Sequence, residues 1–384
     1  MKTAKLLISG SEHHADMLYI SGLFVPDPFI VIGIQEGEHT TWHGLLSPLE
    51  VDRAQSQSKL DEIHLDSDWH EKAKQQGWVR SLATAAAAFL QSYNVQDVLV
   101  PADFPLLAAE QLRALDINIQ PSPASLFPER IIKSEAEITQ LTLAERLTQE
   151  SMAQAEQFIA ACGINHDNMV IYPNNHAQAG EVVTSEAVRA VIETYLISKG
   201  AVPSHTIVAS GRQSADPHDM GSGPIQAGQP IIIDIFPRLV TSGYWGDMTR
   251  TYVKGKASPE LKRMYQTVLE GQDMGLNMVQ AGTNTSDIHQ KITQYFDAQG
   301  FKTGIVHGKQ GGFFHGTGHG VGLDIHEEPR VSSNGSILEE RQVITIEPGL
   351  YYADIGGIRL EDLVVVRQHG CDNLTQYHRQ FELD

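Results

Sequence analysis

The chain has 384 residues, enough for two domains and a substantial core, and a hydrophobic content of 41% is that of an ordinary globular protein and not of a disordered one. Lys and Arg number 28 against 47 Asp and Glu, a net charge of −19 whose long-range field argues against nucleic acid or an anionic membrane as a partner and leaves a neutral or cationic small substrate. Cys162 and Cys371 are too few for a disulfide framework, no apolar run reaches membrane-spanning length, and the opening MKTAKLLISGSEHHAD lacks a signal-peptide h-region, so a cytoplasmic protein is expected.

The first part alternates short apolar runs, Phe29–Gly33 and Val98–Pro101, with helical patterns such as Trp78–Tyr93, which is α/β character. Gln120–Pro128 carries three prolines and two serines and is the expected linker. Beyond it Ser134 and Glu137 make a capping box, in which each side chain satisfies the other's backbone N–H, and a long amphipathic helix is expected to run towards Gly163. Further helices are expected from Thr184 or Ser185 to Gly200, from Ser258-Pro259 to Gly282, and from Ser286 to Gly300. Strands are expected over 231–236, 248–253, 343–346 and 363–366, with no repeat visible by eye. The sequons at Asn284, Asn334 and Asn373 read as chance matches.

The polar residues attached to those strands carry the chemistry. Asp234 follows three isoleucines, and an ionised carboxylate in a buried strand is costly without a cation or a donor network. Taken alone, Asp234 would more often be a structural residue paired with an arginine such as Arg250. Asp247, Glu347 and Glu361 also border apolar runs, however, and four clustered buried acids repel one another unless neutralised. With His319 they supply one imidazole and four carboxylates, a set suited to a pair of hard or borderline divalent ions. The glycines in His315-Gly-Thr-Gly-His319-Gly match no phosphate-binding loop, and no helix start follows them, so close backbone packing round a cleft is the better reading. Neither an H-E-x-x-H helix nor a G-x-S-x-G elbow is present.

These residues resemble the pita-bread-fold metallopeptidases, in particular the proline-specific branch of Xaa-Pro dipeptidase (prolidase) and Xaa-Pro aminopeptidase (aminopeptidase P), weakly over 1–127 and strongly from Lys133 onward. The resemblance implies an α/β (α+β) protein with a smaller creatinase-like α/β domain at 1–127 and a pita-bread catalytic domain at 128–384. It implies that Asp234 and Glu347 each serve mainly one ion, that Asp247 and Glu361 bridge two, and that His319 completes one coordination sphere. His218, His315 and His326 match histidines that steady the transition state, and His218, Arg330 and Arg359 are candidate substrate contacts. The thirteen-residue step from Asp234 to Asp247 is longer than the family's usual one, and a hairpin insertion that keeps strand register is expected there.

Two carboxylate-bridged ions can lower the pKa of a shared water to give hydroxide near neutral pH and polarise a scissile carbonyl, with Glu347 as proton acceptor and His326 or His218 as donors to the developing oxyanion. A thiolate-free, oxygen-rich set favours Mn²⁺, with Co²⁺, Zn²⁺ or Fe²⁺ also suited. The implied reaction is cleavage of the Xaa-Pro bond in a small peptide with proline second, a dipeptide first because Arg330 can grip its carboxylate, and longer peptides as the alternative. A metal-free creatinase-like hydrolase and a non-catalytic binding module are the readings from other classes, and both expect missing ligand carboxylates. The family further implies a homodimer in which Asp16–Phe24 approaches a neighbour's cleft, whereas Leu18, Ile20 and Leu23 read on their own as core.

Overall fold

Apolar Phe29–Gly33 extends into a strand, Phe29–Glu36, in the six-stranded sheet of the first of two compact units, Met1–Arg130 and Ile131–Asp384. The computed structural model describes residues 3–306 and 308–384. From edge to edge the sheet runs Glu62–Leu65, His39–Leu46, Phe29–Glu36, Thr3–Ser9, Asp97–Val100 and Asn118–Pro121. Thr3–Ser9, Phe29–Glu36 and His39–Leu46 form an antiparallel meander, and the outer strands join it in parallel. Helix Leu82–Ser92 buries Ala85, Ala86, Phe89 and Leu90 in the core built on one face. It is shorter than the Trp78–Tyr93 pattern suggests, because the Ser81 hydroxyl accepts the Thr84 N–H and fixes the helix start after Trp78.

Asp16, at the start of helix Ala15–Ser21, is buried and accepts hydrogen bonds from the Ser125 hydroxyl and the Leu126 N–H. Leu18 and Leu23 are buried with it, and Ile20 is half-buried. The expected linker begins too early: Gln120 and Pro121 pair with Leu99 and Val100 in the edge strand. A proline is tolerated there because only one side of an edge strand needs N–H donors.

The second unit opens on the anticipated capping box. The Ser134 hydroxyl accepts the Glu137 N–H, Glu137 Oε2 accepts the Ser134 N–H at 2.8 Å, and helix Glu135–Ala161 follows. This helix and Ser185–Ser198 bury Ala155, Ile159, Ile192 and Leu196 with Ile231, Ile233 and Tyr252 of a four-stranded sheet. A second pair, Pro259–Met278 and Thr285–Ala298, does the same with Met264, Val268, Ile292 and Phe296 against Ile344, Ile346 and Val364 of a five-stranded sheet. Each isoleucine, leucine, valine, methionine or phenylalanine among them contributes roughly 1.5–3 kcal/mol when fully buried. Two helix pairs thus back two sheets, a repetition carried by burial pattern and not by residue identity. The five-stranded sheet is antiparallel, and the four-stranded one is antiparallel except for its edge strand Glu382–Leu383, which joins in parallel. The Thr285–Ala298 helix starts earlier than expected: its cap is Asn284, whose Oδ1 accepts the Ser286 N–H at 3.1 Å. Among the described residues no helix is long and apolar enough to cross a membrane.

Candidate metal centre

The four-stranded sheet sets the first two acids. Strand Pro230–Ile235 pairs antiparallel with Met248–Lys254, in unbroken register from Pro230 opposite Val253 to Ile235 opposite Met248. Asp234 lies opposite Thr249, and Asp247 is two residues from Thr249, so period-two alternation turns both aspartates to one face. The extra residues extend the hairpin beyond the register, through Gly246 N–H to Pro237 O and Leu239 N–H to Tyr244 O, while Arg238–Leu239 pairs with Ala201–Val202. No bulge interrupts the strands between the two acids.

The five-stranded sheet sets the rest. His319 lies in strand Gly318–Gly320, held by its N–H to Thr345 Oγ1 at 3.1 Å. A Cβ at Gly318 would overlap the Thr345 carbonyl oxygen, and one at Gly320 the Glu328 carbonyl oxygen, so the glycines flanking His319 serve close strand approach, as expected. Not every ligand candidate is a strand residue, in keeping with acids that border apolar runs. Asp247, Glu347 and Glu361 each stand one residue outside a strand, where the backbone is released from the ladder but still anchored beside it. Glu347 N–H donates to Thr317 O at 2.7 Å, and Glu361 N–H to Thr249 O at 3.1 Å.

These segments converge on one cleft of about 630 Å³, whose walls include Asp234, Asp247, His319, Glu347 and Glu361 together with His218, His315, His326, Arg330 and Arg359. His319 Nε2 stands 3.6 Å from Asp247 Oδ2 and 3.5 Å from Glu347 Oε1. Ligand-capable atoms of Asp247, His319 and Glu361 all lie within 4.8 Å of one another. Glu361 Oε2 accepts the Thr249 hydroxyl at 2.7 Å.

The electrostatics show what this set is suited to hold. Burial, then the neighbouring carboxylates of Glu361, Asp234 and Glu347, push the Asp247 carboxyl well above its ordinary range. Glu361 is driven up by burial and by Glu347 and Asp234, and Glu347 reaches about 8, chiefly through burial. Burial, with His326 nearby, lowers His319 to about 3 and keeps its imidazole neutral. Asp234 Oδ1 is buried without a hydrogen-bond partner. A crowd of buried carboxylates beside a neutral imidazole, one oxygen of it orphaned, is the donor set that fits divalent cations.

The other candidates divide by exposure. His218 and His326 are exposed on the cleft wall, and the His326 ring packs edge-on against His319 at 4.4 Å between centroids. His315 is half-buried, lowered to about 3 by burial and then Arg359, and hydrogen-bonded through Nε2 to Tyr351 Oη at 2.9 Å. Arg330 is exposed, and its guanidinium makes no hydrogen bond or ion pair among the described residues. Arg359 differs: it is buried, and its fork goes to Asp234 Oδ2 at 2.7 Å, Tyr351 Oη at 3.0 Å, Pro217 O at 3.3 Å and Thr249 Oγ1 at 3.2 Å. The arginine set against Asp234 is thus Arg359; Arg250, the partner weighed for a lone Asp234, instead binds Asp362 at 2.9 Å.

Sequence reasoning missed Glu145. It is wholly buried in the helix Glu135–Ala161, its Oε2 accepts the Asp247 N–H at 3.0 Å, and its Oε1 accepts the Thr375 hydroxyl at 2.7 Å. The signal was available: Leu141, Ala144, Glu145, Thr148 and Met152 follow helical spacing, so a glutamate occupies the buried stripe.

Residues 139–368 match metallopeptidase family M24. The chain is 31% identical to the uncharacterized peptidase YqhT of Bacillus subtilis over 265 residues, 68% of this chain and 66% of that one. It is 35% identical to the Xaa-Pro dipeptidase of Pyrococcus furiosus over 178 residues, 46% of this chain and 48% of that enzyme. The matched stretches therefore span about half to two thirds of these curated relatives. Among solved structures, the prolidase from Pyrococcus horikoshii OT3 superposes with a TM-score of 0.77 at 25% identity, covering 99% of this chain and 95% of that one. The X-Pro aminopeptidase from Thermotoga maritima MSB8 gives 0.79 at 23% identity, covering 99% and 97%, a likeness of fold. The chain belongs to metallopeptidase family M24 and has the pita-bread fold of its proline-specific branch.

Proposed function

We propose that this protein is a metal-dependent peptidase that cleaves the bond between a first residue and a proline at position two, with dipeptides preferred. The observation that carries the reading is the convergence of Asp234, Asp247, His319, Glu347 and Glu361 on one cleft whose wall also bears three histidines and an arginine that is unpaired among the described residues. A volume of about 630 Å³ is in the range of small-ligand sites. Similarity to Xaa-Pro dipeptidases supports the substrate class. The intact ligand set disfavours a metal-free hydrolase and a non-catalytic module.

Asp234, Asp247, His319, Glu347 and Glu361 would hold two divalent ions, with Mn²⁺ best suited to an oxygen-rich set. When bound, such ions polarise the scissile carbonyl and bring the pKa of a water towards neutrality. Around them the chain's own residues act as follows. Glu347 reaches the cleft beside His319, where its carboxylate is placed to accept and return a proton. His218 and His326 stand on the wall, where an imidazole N–H can meet the oxygen that gains negative charge. Arg359 fixes Asp234 and, through Tyr351, the His315 ring, so its role is positioning and not direct contact with substrate. Arg330 offers a free guanidinium fork for the substrate's terminal carboxylate.

A second reading, an aminopeptidase acting on longer peptides, is favoured by the exposure of Arg330, which leaves a path for chain beyond the proline. We further infer a homodimer, as the family resemblance implies, and a cytoplasmic location, as the two cysteines suggest. The test is to strip the protein with chelator, reload it with Mn²⁺, and follow cleavage of Ala-Pro, Ala-Ala and Ala-Pro-Ala. Ala-Pro should be cleaved and Ala-Ala spared. Absence of Xaa-Pro cleavage after loading with Mn²⁺, Co²⁺, Zn²⁺ or Fe²⁺ would reject the proposal.

A further inference from the structure

The first unit contains a second convergence of ligand-type atoms, separate from the cleft. Strand Glu62–Leu65 adds in parallel to the edge of His39–Leu46, with Glu62 in register with His43 and His64 two residues further on the same face. Three atoms meet there. His43 Nδ1 lies 3.2 Å from His64 Nε2 and 3.3 Å from Glu62 Oε2, and His64 Nε2 lies 3.5 Å from that same oxygen.

We propose that His43, Glu62 and His64 form a zinc site, built on the sheet edge of the first unit and independent of the peptidase centre. The first argument is metric. With Zn–N and Zn–O bonds of about 2.05 Å, the edge of a tetrahedron is about 3.3 Å, and all three separations fall within 0.2 Å of that length. The three atoms therefore outline one tetrahedral face, with a fourth position left for water.

The second argument is the donor set. The grouping brings two imidazoles and one carboxylate, each able to offer a lone pair, to one point. His43 Nε2 is buried without a partner among the described residues whichever tautomer the ring takes, so it does not favour a ring-to-ring hydrogen bond over a cation. A cation meets all three lone pairs at once.

The third argument is rigidity and access. His43 is 1% exposed, packed against Phe89 and Tyr93 at 5.0 and 5.3 Å between ring centroids, while His64 meets Trp69 and Phe89. Glu62 is 51% exposed, so the face that an ion would enter is open. Two fixed imidazoles and one accessible carboxylate make a pre-formed site with an entry path.

The test uses the full chain. Chelator-stripped protein is dialysed against micromolar Zn²⁺ and its bound metal measured, for the wild type, His64→Gln, Glu62→Ala and, as a control on the other centre, His319→Ala. Wild type should bind one equivalent more than His64→Gln, with Glu62→Ala at least tenfold weaker at that site, and His319→Ala should keep the equivalent. Co²⁺ loaded into His319→Ala should give the visible absorption of a four-coordinate ion, lost when His64→Gln is added. Should His64→Gln disturb the fold, Glu62→Ala, at an exposed position, supplies the same comparison. Equal zinc content in wild type and both variants, or no such absorption in Co²⁺-loaded His319→Ala, would overturn the site and leave a His–His hydrogen bond in its place.

Discussion

Arg359 and Asp234 form a buried pair in which Nη2 donates to Oδ2 at 2.7 Å, while the other oxygen, Oδ1, is buried without a partner. One oxygen is held and the other has no partner among the described residues, in a residue that lines the cleft. The rest of the guanidinium is fixed by Tyr351, Pro217 and Thr249, so Asp234 is aimed by a group that cannot turn away.

Removing that arginine should therefore be felt at the ligand. Arg359→Ala leaves a buried carboxylate without its cation and should cost on the order of 3–5 kcal/mol in the ion-free protein. Arg359→Lys keeps the charge but loses the fork, and should lower ion affinity more than stability. Metal content and thermal midpoint, read side by side, check this; undiminished ion binding in Arg359→Ala would contradict the positioning role.

Glu145 allows a sharper separation. Burial raises its carboxyl to about 8, so the group is neutral at neutral pH, and an amide of the same shape can replace it. Glu145→Gln should keep the bond to the Asp247 N–H and be close to neutral in stability and ion binding. Glu145→Ala orphans that buried N–H and should cost about 1–3 kcal/mol. The two variants compared by denaturant unfolding decide it, and equal loss in both would remove Glu145 from the support of Asp247.

The features legible in the sequence were those with a local cause. Ser134 and Glu137 stand three residues apart and settle the helix start between themselves, whatever the rest of the chain does. The acids beside apolar runs betrayed the cleft because burying charge is costly wherever it happens. Partnership across the fold was not legible: Asp234 and Arg359 stand in strands of two different sheets, Pro230–Ile235 and Gly356–Arg359, and meet only in the folded unit, while Arg250 pairs with Asp362. His43 and His64 carry no motif, since nothing short of strand pairing brings them together. The repetition of helix pairs and sheets was hidden because packing conserves apolar placement and not particular residues.

The ion-free protein should have a stability optimum on the acid side of neutrality. Burial raises Glu347 and Glu145 to about 8 from 4.5, so the folded state holds extra protons; that stabilisation is full below about 4.5 and is lost as pH rises through about 8. Burial lowers His315 and His319 to about 3 from 6.5, a contribution present above 6.5 and lost as pH falls towards 3. The two limbs cross between about pH 5 and 6. Divalent ions replace the protons on Glu347 and its neighbours, so loading should flatten the alkaline limb. Thermal midpoints of stripped and Mn²⁺-loaded protein across this range are the measurement, and a stripped protein that gains stability from about pH 6 to 9 would refute the assignment.

Substituting Glu361 by Ala should remove most activity and at least one ion while leaving the fold largely intact. Glu361 is buried among Asp247, His319 and Thr249, and its loss removes a carboxyl whose ionisation burial and the neighbouring acids oppose without a cation. The stripped variant should therefore be no less stable than the stripped wild type by more than about 1 kcal/mol, the relief of repulsion offsetting lost packing. Full activity, or two ions bound with unchanged affinity, would sink the ligand role.

Arg330 decides between the two peptidase readings. It lines the cleft with a guanidinium that binds nothing else among the described residues, so its fork is available to a carboxylate. In a dipeptide that carboxylate follows the proline directly, whereas in a tripeptide the corresponding group is an amide with no charge. Losing a charge-assisted bidentate contact is worth about 1.5–3 kcal/mol, so Arg330→Ala should lower kcat/KM on Xaa-Pro roughly tenfold or more and scarcely change Xaa-Pro-Yaa. The unmodified enzyme should prefer the dipeptide by a similar factor. Comparable rates on both substrates, with Arg330→Ala neutral on each, would assign the chain to the aminopeptidase reading while leaving the metal centre untouched, because that centre rests on other residues.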